Sequence, residues 1–159
     1  MIIILIGLVF IIVNLNILGI NFMPNWLGYL LIFWGLSRCP DSEGRGSAMA
    51  VAVASALASG ALWVAGLFGY GMTFPLGALL QLFTTYQLLV WCEGLKELEG
   101  HYLLGRFRVS WYALVGASAA AIILGAFMPP LGWVWSAAAL VAAAFYTFTY
   151  YQLQTMVER

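Results

Sequence analysis

Apolar and polar positions in this chain separate into long blocks rather than alternating with a short period. Six apolar runs stand out, at residues 2–20, 24–36, 48–70, 75–91, 109–128 and 132–152. Most are long enough to form about 25–34 Å of helix, which matches a hydrocarbon core of about 30 Å. The run 24–36 would make only about 20 Å and reads as a short span, a tilted half-helix or a re-entrant segment. The pattern predicts an all-α fold: a polytopic transmembrane bundle of about six spans, forming a single integral membrane domain.

The breaks between runs have a shared chemistry. At 22–28 the chain reads FMPNWLG, at 73–77 TFPLG and at 127–132 FMPPLG. Proline suits a first helical turn, where its missing N–H had no partner and its φ is preset. These three uncharged corners are the turns of hairpins at 1–38, 48–94 and 109–156. The recurrence fits either a triplicated hairpin or convergence on the same turn chemistry.

Charge then sets a direction. The net charge is zero, with six Lys/Arg and six Asp/Glu. Arg38, Asp41, Glu43 and Arg45 follow the second run. Glu93, Lys96, Glu97, Glu99, Arg106 and Arg108 follow the fourth, and Glu158 and Arg159 end the chain. With six spans every Lys and Arg falls on one face, which the positive-inside rule makes cytoplasmic, together with both termini. Trp26, Tyr70, Trp133 and Trp135 are expected at the outer headgroup belt, and Trp34, Trp91, Trp111, Tyr150 and Tyr151 at the inner one. Trp63, deeper, is expected to pack. The first twenty residues carry no basic leader and no A-x-A site, so they read as a first membrane helix.

Composition agrees with lipid as the solvent. The 159 residues are 64% hydrophobic and 8% charged, against about 25% charged in soluble domains. Cys39 and Cys92 are too few for a disulfide framework or metal cage, and on a cytoplasmic edge they are expected as reduced thiols. The four-spaced rows Ala48/Ala52/Ala56/Gly60, Ala61/Ala65/Gly69 and Ala113/Ala117/Ala121/Gly125 let helix backbones approach. The mixed stretch 95–107 reads as a cytoplasmic extension or a short interfacial helix, with His101 solvated on it.

Candidate chemistry is sparse. No nucleophile elbow, H-E-x-x-H, Walker loop or intramembrane carboxylate pair occurs, so no catalytic, cofactor or metal site is expected and the protein is read as a non-enzyme. The polar residues within or capping the runs are Asn14, Asn21, Asn25, Gln81, Thr84, Thr85 and Ser136. Gln81 lies about 9 Å below the outer end of its run, with Thr84 and Thr85 on the same face. These residues form a candidate polar patch opening outward, or else hydrogen bonds that hold helices together.

The stretch NFMPNWLGYLLIFWGL (21–36) resembles the amino-terminal signature of a family of small polytopic membrane proteins of Gram-positive bacteria. The matched positions are Asn21, Pro24, Trp26, Gly28, Tyr29, Leu31, Ile32, Gly35 and Leu36. WCEGLKELEG (91–100) resembles a later region of that family, and Asn25 stands where the family usually has aspartate. The resemblance implies a bacterial inner-membrane location and no assigned activity. Residues and resemblance together suggest a non-catalytic membrane component that packs with itself or with a membrane-protein partner. The alternative is a small permease or channel for a neutral solute. The lipid bilayer is the expected partner; nucleic acid is not.

Overall fold

The computed structural model describes residues 2–12, 16–17, 20–21, 24–68, 74–128 and 132–157. Among them are six α-helices: α1 (Ile2–Ile12), α2 (Asn25–Ser37), α3 (Arg45–Leu67), α4 (Phe74–Glu93), α5 (Tyr102–Phe127) and α6 (Gly132–Val157). Arg45–Leu67, Tyr102–Leu124 and Val134–Val157 are long and apolar enough to cross a membrane. The fold is helical, as the block pattern predicts. The helices in contact are α1 with α2, α2 with α3, α3 with α4, and α5 with α6. The chain resolves into two compact units, Met1–Leu95 and Lys96–Arg159.

In the first unit, α1 and α2 meet backbone to backbone. A Cβ placed on Gly7 would lie 2.7 Å from the Gly28 carbonyl oxygen, and one on Gly28 would lie 2.7 Å from the Gly7 carbonyl oxygen. A Cβ on Gly35 would collide with Ile4 Cγ1. Around these contacts Ile4, Leu8 and Ile11 of α1 and Tyr29, Ile32 and Leu36 of α2 are buried. Each set recurs at three- and four-residue steps, so each helix turns one stripe to the other. Close approach of this kind drives helix association where water is absent.

Run 2–20 is not one helix. Within it β1 (Asn16–Ile17) pairs antiparallel with β2 (Ile20–Asn21), placing Asn16 opposite Asn21. Asn14, Asn16 and Gly19 disfavour helix there, because an asparagine side chain competes for nearby backbone groups and glycine adds backbone freedom. Pro24 is the residue before α2 rather than its first residue, with φ −66° and ψ 125°. Its carbonyl accepts the Leu27 N–H at 3.0 Å.

α3 buries Ala48, Ala52, Ser55 and Ala56. Gly60, the last of that row, faces Trp26 of α2, whose Cβ would be 3.8 Å from an added Cβ. The other two rows behave differently: Ala61 and Ala113 are exposed, and Ala121 is buried. Gly69 and the side of Gly125 fall outside the described residues. Trp91 and Tyr150 are fully buried, so they belong to the interior and not to the inner headgroup belt. Trp34 and Tyr151 remain exposed.

In the second unit, α5 turns Leu103, Phe107, Ser110 and Leu114 toward Ala143, Tyr146, Tyr150 and Leu153 of α6. The Phe107 ring lies 4.7 Å from that of Tyr146 and 6.1 Å from that of Tyr150. Tilted rings at this spacing avoid stacking like-charged faces. The stretch 95–107 continues α5 beyond its apolar run. It forms a 3₁₀ turn (Lys96–Leu98) and then the first turns of α5, with Leu98, Leu103 and Phe107 buried. His101 caps α5: its Nδ1 accepts the Leu103 N–H at 3.2 Å, satisfying one of the helix's first free donors.

Candidate functional site

The polar candidates of the sequence fall into separate places. Asn14 lies outside the described residues. Asn21 contributes its backbone to the pairing with Asn16. Asn25 is the first residue of α2, and its Oδ1 is buried without a hydrogen-bond partner. Gln81, Thr84 and Thr85 share α4. Ser136 is exposed on α6 and belongs to the second unit.

On α4 the polar groups make defined bonds. Thr84 Oγ1 and Ser55 Oγ of α3 are 3.0 Å apart and both residues are buried. Thr85 Oγ1 donates to the carbonyls of Gln81 at 2.9 Å and Leu82 at 3.0 Å. Further toward the charged end, Ser47 Oγ donates to Gln87 Oε1 at 3.2 Å. Ser47/Gln87 and Ser55/Thr84 thus form a polar seam along the α3–α4 contact. Ser47, Ser55 and Gln87 were not among the sequence candidates. Ser47 and Ser55 sit eight residues apart, on one face of α3, and that spacing is the signal that could have marked them.

A second constellation lies on the charged loop 38–44, which rests on the last turn of α4. Cys39 Sγ donates to the Gly35 carbonyl at 3.3 Å. Arg45 holds the loop from its other end, through Nη1 to the Cys39 carbonyl at 2.5 Å and Nη2 to Asp41 at 3.1 Å. Gly44 takes φ +86°, a left-handed conformation that glycine adopts without Cβ strain. A Cβ there would also stand 3.4 Å from Trp91 Cα, and one on Gly94 would strike the Glu43 carbonyl oxygen. Cys39 and Cys92 are both free thiols and both buried, so neither has the exposure a reactive cysteine needs.

Arg38 points the other way. Its guanidinium stacks 4.4 Å from the centroid of the exposed Trp34 ring, one helical turn earlier. The Arg45–Asp41 pair is built from one residue about a quarter exposed and one almost fully exposed. Such a pair adds little to stability, and its carbonyl bond is the firmer tie. Among the described residues no group of three or more His, Cys, Asp or Glu side chains is placed to hold a metal ion.

What the arrangement does chemically is hold helices and a loop in register. The buried hydroxyls of the second unit act differently, each bonding a carbonyl one turn back in its own helix. Ser110 donates to the Phe107 carbonyl at 2.7 Å and Thr149 to the Phe145 carbonyl at 2.7 Å. No family model matches the chain, and no curated protein or solved structure is significantly similar to it.

Proposed function

We propose that this chain is a non-catalytic, multi-pass component of a bacterial plasma membrane, acting through helix packing with itself or a membrane-protein partner. The observation that carries the reading is the use of its buried hydroxyls. Ser55 and Thr84 bond each other, while Thr85, Ser110 and Thr149 bond the backbone of their own helices. A solute path or active site needs polar groups turned toward a shared space. These are taken up by one bond between helices and by backbone carbonyls of their own helices.

The proposed topology has both termini and all Lys/Arg on the cytoplasmic face. The antiparallel α1–α2 contact, with Ile4 beside Gly35 and Gly7 beside Gly28, supports it in one respect. The start of α1 lies at the same end as Arg38 whether this hairpin crosses fully or only dips. The likeness to the Gram-positive family belongs to the same proposal. Gly28, Tyr29, Ile32, Gly35 and Leu36 of the shared motif are buried residues of α2, which supports reading the motif as packing.

Reconstitution in liposomes with a panel of neutral solutes tests the assignment against the permease alternative. The proposal expects no flux above protein-free vesicles. Flux that falls in Gln81→Leu or Asn25→Leu would replace it with a facilitator. Crosslinking in native membranes, followed by mass determination, should recover a specific dimer or heteromer. Recovery of only the monomer would remove the packing role.

A further inference from the structure

The packed side of α2 is made by Gly28, Tyr29, Ile32, Gly35 and Leu36, all buried. Its outward side has a different composition. Leu30, Trp34 and Arg38 recur at four-residue steps and all three are exposed, so they stand one above another on one side of the helix. At 1.5 Å per residue this row is about 12 Å long. Along it the chemistry changes in order, from an aliphatic side chain to an indole and then to a cation.

The cation is held in place. Its guanidinium lies over the Trp34 ring, 4.4 Å from the centroid, where the negative face of the indole attracts it. A guanidinium seated on a ring still presents N–H donors at its edge, in the fork that suits the oxygens of a phosphate. The acidic residue closest in sequence does not neutralise it. Asp41 is paired with Arg45, whose guanidinium also bonds the Cys39 carbonyl. Among the described residues Arg38 makes no ion pair. The charged loop therefore holds one arginine that is internally satisfied and one whose charge is turned outward.

We propose that the row Leu30–Trp34–Arg38 binds one phospholipid with an anionic headgroup. The phosphate sits on the edge of the Arg38 guanidinium, the glycerol ester region lies beside Trp34, and an acyl chain runs along Leu30. This rests on the membrane assignment above and adds a lipid-binding site to it. Two features of the row select this occupant. The order of polarity along it is the order along a phospholipid, with the indole at the headgroup boundary that tryptophan favours. Its charge is complementary to a net negative headgroup, and a basic side chain at the membrane surface draws such lipids. A zwitterionic headgroup fits less well, because its own ammonium offsets the phosphate that Arg38 attracts.

The test reads lipid contact at the row and away from it. The full chain with Cys39→Ala and Cys92→Ala carries a bimane label on Leu30→Cys of α2 or on Leu57→Cys of α3, both exposed positions. Each is reconstituted in phosphatidylcholine vesicles containing brominated phosphatidylglycerol or, in the same amount, brominated phosphatidylcholine. The Leu30 label should favour phosphatidylglycerol by about five-fold, the size expected of one basic side chain near the surface, and the Leu57 label should show little preference. Arg38→Gln should abolish the preference. Arg38→Lys should lose at least half of it, because an ammonium lacks the planar fork and its seat on the ring. If Leu30→Cys does not reconstitute, native mass spectrometry of the unlabelled chain replaces it, with one more phosphatidylglycerol retained by the wild type than by Arg38→Gln. An equal preference at both labels, or one unchanged by Arg38→Gln, would overturn the site and leave the membrane assignment intact. A preference kept in full by Arg38→Lys would overturn the seated guanidinium as its cause. Quenching by neither lipid at either label would overturn both the site and the membrane assignment.

Discussion

The α1–α2 and α5–α6 hairpins solve one problem with opposite means. In the first, Gly7, Gly28 and Gly35 remove side chains so that backbones touch and the neighbouring isoleucines close over them. In the second, Phe107 is wedged against Tyr146 and Tyr150, and the rings hold the helices together. Placed in lipid, both would gain from contact rather than from escape from water. The difference teaches which change each can bear. A glycine crossing is sensitive to added atoms and a ring crossing to removed ones.

The largest expected effect is therefore a deletion in the second hairpin. Phe107→Ala empties a site that is fully buried between two rings and should cost about 3–5 kcal/mol. A thermal-unfolding series in detergent would show it, and a shift no greater than that of Phe107→Leu would break the assigned role of the ring. Next comes an addition in the first hairpin. Gly28→Ala puts a methyl 2.7 Å from the Gly7 carbonyl, a backbone atom that no rotamer change can move, at a cost of about 1–3 kcal/mol. Gly116→Ala in α5 is its control: nothing lies within 4 Å of a Cβ there, and helix propensity predicts a gain of up to about 1 kcal/mol. If both alanines were equally neutral, the two crossings would not differ in kind.

A smaller effect tests the end of the ring-bearing hairpin. Removing the cap on α5 by His101→Ala should cost about 1 kcal/mol, and His101→Asn should restore most of it, because asparagine also accepts an N-terminal N–H. The same loss in both variants would show that the imidazole contributes through its contact with Tyr102, 4.8 Å away, and not through the Leu103 bond.

How much of this was legible in the sequence depends on what each signal measures. Hydropathy marks the apolar stretch of a helix, so α3, α5 and α6 were found but their charged or polar ends were not. α5 begins at Tyr102, seven residues before its apolar run, and α6 runs on to Val157. The end of α1 was hidden for another reason. Ile17 and Ile20 are as apolar as the helix before them, so the run continued while the backbone had already become a strand. The rows of small residues looked equivalent, yet Ala48, Ala52 and Ala56 are buried and Ala113 is exposed. Four-residue spacing puts residues on one face without saying what that face meets.

The candidate site shows the same limit most sharply. Placing Thr84 and Thr85 on one face of α4 was arithmetic, but Ser55 as the partner of Thr84 needed the register of the α3–α4 hairpin, and that is set by packing. The smallest predicted effect follows from this pair, which joins the helices by side chains larger than glycine and smaller than the rings. In a double-mutant cycle, Ser55→Ala and Thr84→Val should couple by about 0.6 kcal/mol, the typical value between membrane helices. Each single change leaves one buried hydroxyl facing an apolar group, whereas the double change leaves none. The double variant should thus be more stable than the sum of the singles implies. A coupling near zero would mean that each hydroxyl finds its own backbone carbonyl, as Thr85 does, and that the α3–α4 contact is held by its small residues alone, like the glycine crossing of α1 and α2.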